Sequence, residues 1–162
     1  MGLASDGRLR ARHLQGCRKQ GVQRGAKCFT MRPMSRYQFT CEAEPQYVPE
    51  QSDPDAPLYL FAYTITIRNS GEVAAQLVAR HWEIEDARGQ TQQVDGLGVV
   101  GHQPLLQPGQ SFRYSSSVPL RTPMGLMSGH FFCVAVDGQR FEAPVAAFVL
   151  RADGEAGKSA LH

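Results

Sequence analysis

Gly96, Gly98 and Gly101, in the stretch DGLGVVGHQP, have the G-x-G-x-x-G spacing that in nucleotide-binding folds lets backbone N–H groups approach a pyrophosphate. The device depends on a helix that opens at the third glycine and turns its unpaired N–H groups toward the anion. Here Gly101 is followed by HQPLLQPGQ, and Pro104 and Pro108 exclude a helix of useful length. Two uses remain. The glycines can supply positive φ in a loop between two sheets, which is the favoured reading. Alternatively their N–H groups can form an anion nest without a helix, with His102 beside it and Arg80 and Arg113 as the cations offered by adjoining strands.

A second constellation is His81, Glu83 and Glu85, which share one face of a period-two segment and could together attract a divalent cation. Solvated strand faces commonly carry this pattern, so the metal reading is the minor one. Other chemistry lacks its residues. There is no G-x-S-x-G elbow, Ser115 to Ser117 have no base in prospect, and His81, His102 and His130 form no HxH or HxxxH pair. No catalytic residues, no metal ligands as such and no cofactor are therefore expected, and the chain reads as a non-enzyme.

The elements that must hold these residues are strands. From Tyr37 onward apolar residues recur at every second position: Tyr37, Phe39, Cys41 and Ala43, then Tyr59, Phe61, Tyr63, Ile65 and Ile67. Pro45 to Pro57, with four prolines, reads as a loop, and NSGE (69–72) as a turn. Next, Val78, Trp82 and Ile84 fall on one face of residues 76–86, opposite His81, Glu83 and Glu85. SFRYSSSVPL alternates Phe112, Tyr114, Ser116 and Val118 against Arg113, Ser115 and Ser117, and HFFCVAV and RFEAPVAAFVL flank the short connection DGQ. Seven to eight short strands with no helical period predict an all-β antiparallel sandwich of the immunoglobulin or fibronectin type III kind. Trp82, Phe61 and Tyr63 sit on apolar faces and are expected in the core.

The chain has 162 residues and a formal charge of +2, unevenly distributed. Residues 1–34 form a basic leader, with Arg8, Arg10, Arg12, Arg18, Lys19, Arg24 and Lys27 against Asp6 in its first thirty positions. It reads as a disordered or mis-started segment, since Met31 and Met34 stand just before the first strand pattern. The domain is placed at 35–151 and a flexible tail at 152–162. The mildly acidic domain excludes nonspecific nucleic-acid binding, which needs Lys and Arg to neutralise phosphates. No apolar run approaches the ~20 residues of a membrane-spanning helix. Of the four cysteines, Cys17 and Cys28 lie in the leader, while Cys41 and Cys133 fit core thiols in a reducing, cytoplasmic setting.

Three stretches are more specific: YVPEQSDPDAPLYLFAYTITIRNSG, ARHWEIEDARGQTQQVDGLGVVGHQPLLQPGQSFRYSS and MSGHFFCVAVDGQRFEAPVAAFVL. Together they resemble the ApaG family, from about Tyr37 to Leu150. The resemblance implies a fibronectin type III-like sandwich. It also implies a stand-alone bacterial protein of the kind labelled a cobalt and magnesium efflux protein through genetic linkage, or an interaction module as in eukaryotic relatives. It supplies no catalytic residues. Where the family carries Glu in the loop, this chain has Leu97 and His102, which makes the loop less suited to a metal ion. The expected function is a protein-binding module with a partner of unspecified identity, associated with Co²⁺/Mg²⁺ homeostasis. The alternative is a protein that binds pyrophosphate, a nucleotide or a divalent cation through Gly96, Gly98, Gly101 and His102.

Overall fold

A computed structural model of the chain describes residues 35–152. The readings made for the leader 1–34, for Cys17 and Cys28, and for residues 153–162 lie outside the described residues. Eight strands follow in order: β1 Phe39–Tyr47, β2 Tyr59–Asn69, β3 Ala75–Asp86, β4 Thr91–Leu97, β5 Leu105–Leu106, β6 Ser111–Leu120, β7 Met124–Ala135 and β8 Arg140–Arg151. All pairings are antiparallel. One sheet has the order β1-β2-β6; the other has β4-β3-β7-β8, with β5 also on β3. This is the all-β sandwich that the period-two pattern calls for.

The alternation works as read. Phe61, Ile65 and Ile67 of β2 are fully buried, and Trp82 and Ile84 of β3, Tyr114 and Val118 of β6 and Phe131 and Cys133 of β7 meet them from the other strands. Trp82 is the centre of the core, edge-on to Tyr63 and to Phe131, each at 5.8 Å between ring centroids. That arrangement favours the aromatic quadrupoles as well as the burial.

Two details differ from the pattern reading. The register of β3 against β7 shifts between Leu77 and Ala79, so Leu77 is buried and Val78, expected inward, is only half-buried at the bulge. Pro45 does not begin the loop, because β1 continues to Tyr47 and only Pro49–Gln51, a 3-10 turn, breaks away. Register explains why the proline is tolerated. The Asn69 N–H donates to Gln110 O, so odd-numbered residues of β2 bond toward β6 and even-numbered ones toward β1. Pro45 lies opposite Tyr63, an odd position, and therefore turns its missing N–H away from the ladder.

Asn69 itself, read only as part of a turn, is with Thr122 one of two buried polar residues among the described residues. Its Nδ2 donates to Val73 O and to Leu106 O, each at 2.9 Å, and its Oδ1 accepts from Gly71 N at 2.9 Å. It thereby ties the end of β2 to β5 of the opposite sheet. Asn69→Ala removes the partner of the buried Gly71 N–H and one donor each from the Val73 and Leu106 carbonyls, and is expected to cost about 2–3 kcal/mol in urea unfolding. Asn69→Asp keeps the shape but sets carboxylate oxygens against two carbonyls. Its folded-state pKa must lie above the unfolded value of about 4, so it should fall below Asn69→Ala in stability at neutral pH and recover as pH drops toward 4.

Candidate functional site

The glycine stretch is not a connection between sheets, as the sequence pattern led us to expect. It joins β4 to β5, and both pair with β3. β4 covers Ala79–Glu85, the chain makes a compact excursion, and β5 returns to Ala75 and Gln76 of the same strand. The three glycines have different tasks. Gly96 lies within β4 opposite Arg80, and a Cβ there would sit 2.8 Å from the Arg80 guanidinium. Gly98 has φ 59, and a Cβ would run into the His102 carbonyl oxygen. Gly101 has φ 77 and open space around it.

Val100 and Gly101 both have positive φ and sit between Val99 and His102, which exchange hydrogen bonds of 2.8 and 2.9 Å. This is the dihedral pattern of a type I′ hairpin turn. A β-branched residue in the left-handed region is strained, and it is held there by the fully buried Val99 on one side and the His102 pairing on the other. The Gly98 N–H donates to Val78 O, so the loop amides mostly bond to neighbouring backbone. Val100 and Gly101 at the tip contribute the amides with no acceptor among the described residues.

Arg80 is on the inner face of β3, partly buried, and its Nη1 donates to Leu97 O at 3.2 Å and Gly98 O at 2.7 Å. The guanidinium is thus directed at carbonyls. Arg113, the other cation considered for the loop, is engaged with Glu44 at 2.6 Å on the outer surface of the three-stranded sheet. The His102 ring packs near Phe112, with centroids 5.8 Å apart.

On the outer face of the five-stranded sheet, His81 does meet a carboxylate, but the close one is Asp95 of β4. Nδ1 and Oδ1 are 2.5 Å apart, while Glu83 is at 3.9 Å and no contact reaches Glu85. The ring of His130, directly opposite on β7, lies 5.1 Å from that of His81, and Glu142 stands 3.9 Å from His130. Sequence reasoning considered His130 but missed that it and Asp95 stand beside His81, because cross-strand partners are set by register, which spacing along the chain does not reveal. The hydrogen bond that His81 Nδ1 donates to the Asp95 carboxylate holds the His81 pKa above its ordinary 6.5. Among the described residues, no group of three or more His, Cys, Asp or Glu side chains is arranged to hold a metal ion. No Ser, Thr or Cys side chain is hydrogen-bonded to a histidine among them. Cys41 and Cys133 are free thiols, and burial pushes both up to about 12, so neither supplies a thiolate at neutral pH.

Fold and site together define a β-sandwich domain with a glycine hairpin loop at one end of its larger sheet. Residues 49–135 match the family model described as the ApaG domain. The chain is 60% identical over 117 residues to the protein ApaG of Ralstonia nicotianae, covering 72% of this chain and 94% of that one. It is 56% identical to the protein ApaG of an Acidovorax species, over 74% of this chain and 88% of that one. A solved Bordetella pertussis structure described as an ApaA protein superposes with a TM-score of 0.73 at 50% identity, over 75% of this chain and 98% of that one. The chain belongs to the ApaG family. No helix among the described residues is long and apolar enough to cross a membrane.

Two outcomes follow from the geometry. Gly98→Ala meets both a positive φ and a backbone oxygen, and should cost about 2 kcal/mol or more; Gly101→Ala meets only the dihedral strain and should cost about 1 kcal/mol. Val100→Asn, which relieves strain, should be neutral or slightly stabilising; chemical denaturation of the three variants checks the order. The second concerns His81. A raised folded-state pKa means that its tie to Asp95 contributes stability below the ordinary value of 6.5, and that this is lost as pH rises through the folded value. Asp95→Asn should therefore lower the His81 pKa in an NMR titration, and should reduce stability at acidic but not at alkaline pH.

Proposed function

We propose that the chain is a non-enzymatic binding module that engages a protein partner through the glycine-loop end of its larger sheet. The observation that carries this is the surface of the loop. Leu97, Val100 and Leu105 are 77%, 59% and 49% exposed on a segment in which the Gly98, Val99 and His102 amides and the Leu97 and Gly98 carbonyls are already bonded internally. Apolar side chains exposed on a turn closed by the Val99–His102 bonds favour a protein contact, since less backbone has to be ordered on docking. The alternative, a loop for pyrophosphate, nucleotide or a divalent cation, has less support, because Gly98 N–H and Arg80 are both turned to backbone carbonyls. Any association with Co²⁺ or Mg²⁺ handling is on this reading indirect, through the partner, and the setting is cytoplasmic.

The test is capture from the native host with the full chain as bait, beside a Leu97→Asp/Val100→Asp variant. Both substituted positions are exposed, and Asp tolerates the left-handed region better than Val. A defined protein held by the wild type and lost by the variant is the expected result. Micromolar binding of pyrophosphate, ATP, Co²⁺ or Mg²⁺ in calorimetry would overturn the reading, as would a turnover abolished by a change in the loop.

A further inference from the structure

The four long edge strands of the two sheets are not alike. Hydrogen-bond parity, fixed by register, shows which residues of each turn their N–H and C=O groups outward. On β1 these include Pro45. On β6 they are the odd-numbered residues, among them Pro119, because Val118, Ser116 and Tyr114 pair with the odd positions of β2 that bond toward β6. On β8 they are even-numbered up to the bulge, among them Pro144, opposite His130. A proline at an outward position removes a donor from the free edge and discourages strand addition.

β4 has no such guard. The Gly98 N–H bonds Val78 O and the Asp86 N–H bonds Gln90 O, so even-numbered residues of this segment face β3. Thr91, Gln93 and Asp95 therefore present outward N–H and C=O groups, and Leu97 an outward N–H whose own carbonyl is taken by Arg80, with no proline and no bulge. That row borders the open side of the sandwich, between β4 and β6. There a cavity of about 420 Å³ has an apolar floor of Leu58, Ile84, Pro119 and Leu120.

Two cations at this end lack a paired carboxylate. Asp86, at the cavity wall, spends its Oδ1 on the Arg88 and Gln90 amides at 2.8 and 3.0 Å, and Asp53 spends its Oδ1 on those of Asp55 and Ala56. Arg121 lines the cavity, and Arg88 lies next to Ala87, whose N–H bonds Thr122 Oγ1. Neither arginine is within ion-pair distance of a carboxylate among the described residues. β4 spans about 20 Å, so the arginine end and the apolar loop end stand at opposite ends of one free edge.

We propose that this edge is the docking site for an extended acidic segment of the protein partner, which adds to β4 as a strand, seats an apolar side chain in the cavity and presents a carboxylate to Arg121 and Arg88. The inference rests on the protein-binding reading and narrows it. Main-chain pairing along β4 supplies affinity, while the cavity and the two guanidiniums supply selectivity.

The experiment selects random linear peptides displayed on phage against the immobilised full chain, then measures the winning peptide by fluorescence polarisation. Enrichment of alternating apolar sequences with an Asp or Glu near one end is expected. Their affinity should fall about tenfold or more on Arg121→Glu, weaken with added salt, and vanish when alternate peptide amides are N-methylated, a change that leaves the protein untouched. Gln93→Pro, which removes only an outward donor, should act like the methylation. The proposal is overturned if nothing enriches, if the winners are basic or uncharged, or if Arg121→Glu or N-methylation leaves binding intact. It is also overturned if the edge pairs with a second copy, seen as a dimer in sedimentation that Gln93→Pro dissolves. A host protein lost by the loop variant but held by Arg121→Glu and Gln93→Pro would remove the edge proposal alone and leave the binding-module reading in place.

Discussion

Two open sheets leave rows of backbone N–H and C=O groups along their edge strands, and the handling of those rows governs much of this molecule. On one side β1 and β8 lie against each other, joined by the Phe39–Phe141 edge contact at 5.4 Å and by Tyr37, which stacks near Phe141 and donates to Asp137 at 2.6 Å. Prolines take outward positions on both of those strands and on β6. The opposite side has no comparable closure, and there the cavity and the unguarded row of β4 are found. A guarded side and an open side on one small sandwich make the two edges of the domain chemically unequal.

Arg80 determines the shape of the open side's far end. Its side chain crosses the inner face of β4 at Gly96, whose φ is not positive and where an added Cβ would sit 2.8 Å from the guanidinium and require it to shift. By donating to Leu97 O and Gly98 O, the guanidinium holds the strand end and the loop start to β3 after the regular ladder stops. A charge-assisted bond to a carbonyl is stronger than a neutral one, and in a partly buried site it is poorly screened. The strain at Val100 persists on this support. The glycine motif is thus a piece of loop engineering in which each glycine meets a separate steric demand.

The fold was legible because period-two alternation needs no knowledge of partners: the inward residues of β2 and β6 could be named one by one. Val78 could not, because a bulge changes parity in mid-strand without any residue type that marks it. Pro45 misled for a related reason, since a proline inside an edge strand is compatible with pairing only when its position faces outward, and that depends on register. The same limit hid the neighbours of His81. Asp95 is fourteen positions away in sequence and His130 forty-nine, and only strand order brings them beside it. Glu83 and Glu85, which share its face by spacing, are on the same strand and so lie farther along it. The loop's dihedrals were legible in kind, from the glycines, but their assignment to Gly98 and Gly101 required the backbone itself.

Charge and polarity along β4 also bear on why two copies of this domain should not simply zip together. In a parallel pairing of two β4 edges, Arg88 and Arg121 of one copy would lie beside those of the other, and like charges in register are unfavourable. In an antiparallel pairing the arginine end would face the exposed Leu97 and Val100 of the second copy, which offer no carboxylate. Asp95, the charged side chain of the outward row, is already drawn to His81. Neither self-pairing therefore satisfies the guanidiniums, and a strand that supplied both main-chain partners and an acid would. The same unequal ends that weaken association with itself give the edge a direction, so a strand added to it has one preferred orientation, with its acidic end at Arg121 and its apolar end at the loop.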